Sequence, residues 1–134
     1  MLEDLHVDTI ESLDQNAPIV MLNLMRFREQ SLDGDGTGWD AYVRYSRMAN
    51  ALIKERGGRI AWAGEVGGAT FGPVAHGRWD YAALVRYPTP GAFRDMMESD
   101  EYAKANVHRD NGCEDHLIMA VTEVFNGMAT SSSD

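Results

Sequence analysis

Between positions 19 and 28 the chain alternates two apolar sets, Val20, Leu22 and Leu24 on one side and Met21, Met25 and Phe27 on the other, with Asn23 the polar member of the second. Successive side chains of a strand point to opposite faces, so 19–28 predicts a strand buried on both sides. Pro18 agrees, because the residue before a proline is biased toward extended backbone. Ahead of it, Ile10 and Leu13 follow Asp8 and Thr9, two candidate N-caps, which predicts a short leading helix over about 8–15. After a turn-rich loop at 31–38, Trp39, Tyr42, Tyr45, Ala49, Leu52 and Ile53 recur at helical steps, while Asp40, Arg44, Arg47 and Lys54 fall mainly opposite. Gly57 is the natural stop of this helix. Alternation returns at 59–66 and at 79–87, where Trp79, Tyr81, Ala83, Val85 and Tyr87 share a side. The connection between them, carrying Gly67, Gly68, Gly72, Pro73 and Gly77, is too long for a tight hairpin and is expected to be a mobile flap. Thr89 before Pro90 predicts the start of a second helix with Phe93, Met96 and Met97 on its apolar side. Ser99 restarts that helix and places Tyr102, Asn106 and Arg109 together. Residues 117–125 alternate as a last strand, and 127–134 read as a frayed tail.

The order helix, strand, helix, strand, strand, helix, strand predicts one α+β domain over 1–134, with its folded core at about 18–125. The sheet is expected to be four-stranded and antiparallel, of the ferredoxin-like βαββαβ type, with helices on one face. Branched Val20, Leu22 and Leu24 suit tight packing under helices, so Met21, Asn23, Met25 and Phe27 are expected on the uncovered face, with Asn23 in a cavity there. An apolar face of that size is costly to leave wet, and pairing two sheets into a dimeric α/β barrel removes it.

Charge narrows the partners. Asp and Glu number 21 against 12 Lys and Arg, a formal net charge of -9, and no basic run is present to track phosphates, so nucleic acid is not expected. The apolar runs fall far short of the roughly 20 residues a membrane helix needs, so no membrane partner is expected. The acidic N-terminus lacks the basic start of a secretory signal, and Cys113 has no second cysteine to pair with; both point to the cytoplasm. His76, His108 and His116, with Glu114 and Asp115, show no compact ligand spacing, so neither metal nor cofactor is expected.

Candidate chemistry is sparse. Asn23 is an amide in an apolar strand, where it is costly unless hydrogen-bonded; it is a candidate catalytic residue holding a substrate oxygen, and equally a structural amide. His108 and Arg109 adjoin near the end of the second helix, where an imidazole and a fixed cation would serve as acid/base and carboxylate clamp, or simply answer the helix dipole. Tyr102 lies on the face of Arg109. Arg26 is a second fork donor for an anion, or a surface ion pair. Tyr42, Trp62 and Trp79 would wall a ligand pocket, or pack as ordinary core. Glu65 could work beside Asp80, or be solvated.

The run from Pro18 to Phe27, with Trp79-Asp80, Tyr87-Pro88-Thr89 and Ser99 to Tyr102 leading to His108-Arg109, resembles the longer members of an uncharacterised family, domain of unknown function thirteen-thirty, within the dimeric α/β-barrel superfamily. The resemblance extends from about Pro18 to Val124. It implies the fold and a homodimer whose two sheets face one another around a cavity. It implies no reaction, because that superfamily includes cofactor-free monooxygenases, lactone isomerases, haem-handling enzymes and proteins that only bind a ligand. The resulting expectation is a homodimer that binds a small molecule. It would be a cofactor-independent isomerase, lyase or monooxygenase acting on a small carboxylate or enolisable carbonyl compound. The alternative is a non-catalytic ligand-binding or stress-associated protein.

Overall fold

In the computed structural model, which describes residues 4–128, α1 (Val7–Glu11) precedes β1 (Ile19–Phe27), α2 (Gly38–Glu55), β2 (Arg59–Glu65) and β3 (Tyr81–Tyr87). There follow α3 (Pro90–Met97), α4 (Asp100–Gly112) and β4 (Cys113–Val121). The sheet is antiparallel in the order β2-β3-β1-β4, the ferredoxin-like βαββαβ arrangement, and the helices cover one face. The tail expected at 127–134 lies, beyond Met128, outside the described residues.

Local polar side chains set the helix starts. Thr37 Oγ1 accepts from the Asp40 N–H at 3.1 Å while the Asp40 carboxylate accepts from the Thr37 N–H at 2.9 Å, a reciprocal cap that opens α2. Thr89 accepts from the Ala92 N–H with Pro90 in the first turn, and Ser99 accepts from the Tyr102 N–H, so α3 and α4 begin as their sequences predict. At the other end of α4, a side chain on Gly112 would meet the Gly38 carbonyl at 2.5 Å, so α2 and α4 approach backbone to backbone.

Three sequence expectations change. Met21 and Met25 are 2% and 0% exposed and pack with Tyr45, Tyr102 and Phe93 beneath the helices, so Asn23 and Phe27, which share their side, also face the helices. Val20, Leu22 and Leu24 are the ones on the uncovered face. Periodicity separates two apolar faces without saying which is covered, and flexible thioethers fill the irregular space under aromatic helix residues better than branched chains do. The last strand begins at Cys113, directly after α4, and ends at Val121, whose partner Val20 lies beside the start of β1. Beyond that point the chain has run past the strand it pairs with. Finally, Trp39 is 42% exposed, at the rim, although it packs edge-on against Phe27 and Tyr81.

Candidate functional site

Because β4 follows α4 without a loop, the last turn of the helix and the first half of the strand lie against each other. Arg109 of α4 is thereby set beside His116 of β4, and His116 pairs across the sheet with Met25, one alternation from Asn23. His116 Nε2 lies 2.9 Å from Asn23 Oδ1, and its Nδ1 lies 3.2 Å from Arg109 Nη1. A guanidinium only donates, so Nδ1 is the acceptor and Nε2 carries the hydrogen given to Asn23. Asn23 Nδ2 donates in turn to the Met21 carbonyl at 3.1 Å. Arg109 also donates from Nε to Asn106 Oδ1 at 2.6 Å and from Nη2 to Asp110 Oδ1 at 3.2 Å. Burial, and then the Arg109 charge, push the His116 imidazole down to about 3, so it is neutral at ordinary pH.

A second polar pair lies nearby. The hydroxyls of Tyr45 and Tyr102 are 2.9 Å apart and buried, and burial raises both phenols above their usual range. Two voids meet at these groups. A cavity of about 420 Å³ lies under α1 and has Tyr102, Arg109 and His116 on its wall. A void of about 40 Å³ lies between the sheet and α2, bordered by Asn23, Tyr45 and again His116. The amide, imidazole and guanidinium thus form, with the tyrosine pair, a polar partition between the two.

Of the residues singled out from sequence, the fold brings Asn23, Tyr102 and Arg109 to this partition. Tyr42 borders the smaller void from within an aromatic cluster, its ring 5.1 Å from Phe27 and 5.8 Å from Tyr81. His108 borders neither void, and its Nδ1 is buried without a hydrogen-bond partner among the described residues. The imidazole that meets Asn23 is His116, which the sequence brings up only among histidines without metal-ligand spacing. An alternation starting at Cys113 would have found it, since it places His116, Ile118 and Ala120 on one face.

Arg26, Trp62, Glu65 and Trp79 also border neither void. Arg26 donates to the Arg78 carbonyl at 2.6 Å and pairs with Glu114 at 3.6 Å, the surface ion pair that is its simpler reading. Trp62 lies on the uncovered sheet face, 45% exposed, with its ring against Gly64. Glu65 is exposed at the end of β2, and Trp79 stacks under the Arg78 guanidinium at 4.3 Å. Burial pushes the Cys113 thiol up to about 11, so little of it is the nucleophilic thiolate at neutral pH. Among the described residues no group of three or more His, Cys, Asp or Glu is placed to hold a metal ion, and no helix is long and apolar enough to cross a membrane.

No family model and no curated protein matches the chain. Solved structures do. The chain is similar to RPA0582, a protein of unknown function from Rhodopseudomonas palustris, with 29% identity over 90% of this chain and 92% of that one and a TM-score of 0.79. Against the methylated form of RPA0582 the identity is 30%, over 90% and 91% of the two chains, with the same TM-score of 0.79. At lower identity it shares its fold with SnoaB, a cofactor-independent oxygenase from Streptomyces nogalater (10% identity, 84% and 99% covered, TM-score 0.56). It does so as well with a hydroxynitrile lyase from Passiflora edulis (12% identity, 83% and 99% covered, TM-score 0.53).

Proposed function

We propose, for a chain that belongs to the same family as RPA0582, that it is a homodimeric, cofactor-independent cytoplasmic enzyme acting on a small carboxylate or enolisable carbonyl compound. Isomerase, lyase and monooxygenase chemistry all fit such a substrate, and the sequence resemblance to domain of unknown function thirteen-thirty belongs to the same reading. One observation carries it: Arg109 and Tyr102 border the same cavity of about 420 Å³, with His116 fixed between that cavity and Asn23.

Arg109 spends one N–H each on Asn106, His116 and Asp110, and a guanidinium has five. Its remaining N–H groups suit the fork of a substrate carboxylate. In this reading the Tyr102 hydroxyl, buried against that of Tyr45, donates to a substrate carbonyl oxygen as it gains enolate character. His116, neutral and bonded at both nitrogens, positions Arg109 and Asn23; burial keeps the tyrosine pair protonated, so it donates to the forming enolate, and the α-proton expected to pass to His108 leaves to water instead.

The dimer is supported by the uncovered sheet face, where Trp62, Leu117, Met119 and Val121 are each 40–45% exposed beside Leu22 and Leu24. An apolar surface of that kind is the mark of a protein interface.

The test is exchange of α-protons in D2O, followed by NMR, across a panel of small 2- and 3-oxo acids. Exchange faster than the uncatalysed rate, lost in Tyr102→Phe and Arg109→Gln, is the expected result. Binding without any exchange would favour the second reading, a ligand-binding protein without chemistry, which has one observation on its side: neither nitrogen of His116 is free to take a proton.

A further inference from the structure

Resting on the reading of the larger cavity as a carboxylate site, we propose that its ligand is an amphipathic monocarboxylate, with its single anionic head at Arg109 and an uncharged, mostly apolar body lying under α1. The cavity of about 420 Å³ equals the space of roughly 14 water molecules at about 30 Å³ each, enough for an organic acid of roughly ten heavy atoms.

Charge on the wall selects the head. Arg109 is the Lys or Arg side chain bordering the cavity among the described residues, and the other ionisable groups there are Asp4, Asp115, His6, His116 and Tyr102. Asp115 is paired with Arg78, which weakens its repulsion of a ligand, as the Asp110 partner of Arg109 weakens its attraction without spending all of its N–H groups. Asp4 is exposed and unscreened by any ion pair among the described residues. A second carboxylate on the ligand would therefore find no guanidinium or ammonium, meet Asp4, and enter the field of a chain with net charge -9.

The body is selected by α1 and its surroundings. Beside the polar Asp4, His6 and Thr9, the wall carries Leu5, Ile10, Leu13, Phe93, Met97 and Ile118. These apolar groups gain nothing from a short acid that leaves them wet, whereas a longer apolar body removes them from water. The leading helix, which lies outside the βαββαβ core, is thus the specificity wall of the site.

The test is calorimetric titration of the full chain at pH 8, where an ordinary imidazole is uncharged. The probes are 4-phenylbutyrate, 4-phenylbutyramide, glutarate and acetate. Phenylbutyrate should bind, with the amide, glutarate and acetate each weaker by about tenfold or more, since the first lacks the charge-assisted bonds, the second brings an unpaired anion and the third lacks the body. Arg109→Gln should weaken phenylbutyrate by about tenfold, and Leu13→Ser should weaken phenylbutyrate while leaving acetate unchanged.

Glutarate binding as tightly as phenylbutyrate, with both weakened by Arg109→Gln, would overturn the monocarboxylate class while preserving the carboxylate site. An amide that binds as well as its acid, or no binding by any probe, would overturn both. All four probes are ranked on the wild-type chain, so a variant that fails to fold does not blur the outcome.

Discussion

Asn23 makes its two hydrogen bonds inward, to His116 and to the Met21 carbonyl, so its role in stability can be separated from any role toward a ligand. Asn23→Leu leaves the buried His116 N–H without its acceptor and should cost about 1–3 kcal/mol, read from the urea midpoint; an unchanged midpoint would mean that the imidazole finds another partner. His116 predicts a pH dependence as well. Its folded value lies near 3 against 6.5 for the unfolded side chain, so as pH falls the unfolded state takes the proton first. Stability present above about pH 6.5 is then lost toward pH 3, by up to about 1.4 kcal/mol per unit. His116→Gln should flatten the slope of stability between pH 4 and 6.5; a slope equal to that of the wild type would assign it to the carboxylates. Asn23, Tyr102 and Arg109 were legible as site candidates because an amide in an apolar strand and a cation beside a tyrosine on one helix face are local patterns. His116 was hidden because the polar run Glu114-Asp115-His116 does not look like the beginning of a strand.

At the scale of elements, the helical period of α2 predicts its buried stripe but overstates its first position. Tyr45 is buried and bonded to Tyr102, whereas Trp39, in the first turn, leaves two-fifths of its surface in water. Tyr45→Ala should therefore cost about 3 kcal/mol or more, and Trp39→Ala under about 2, by thermal melting; equal losses would mean that the rim cluster of Trp39, Phe27 and Tyr81 is as tightly packed as the core. Caps such as Thr89 and Ser99 announce helix starts because their chemistry closes within three residues. Strand ends are another matter. β4 stops at Val121 because it runs past the start of β1, a fact about a partner a hundred positions away and not about Thr122 to Phe125. The orientation of β1 escapes for a similar reason, since Met21 and Leu22 are equally apolar and only the helices above decide which is covered.

For the molecule as a whole, the prediction is a dimeric mass by light scattering, reduced to a monomer by Leu117→Asp with Met119→Asp; a monomeric wild type would require the face to be covered some other way. The topology was legible because hydrophobic period and turn residues determine element order, and few topologies fit that order with short, unknotted connections. The uncovered face has one more consequence, which follows from mass action. If two copies share it, folding becomes a bimolecular equilibrium, and the stability of each chain rises with the amount of protein present, by about 1.4 kcal/mol of dimer for every tenfold in concentration. Melting temperature measured across a dilution series should climb accordingly. In a dilute cell the same protein would sit closer to its unfolding limit, and its abundance would become a determinant of its own survival.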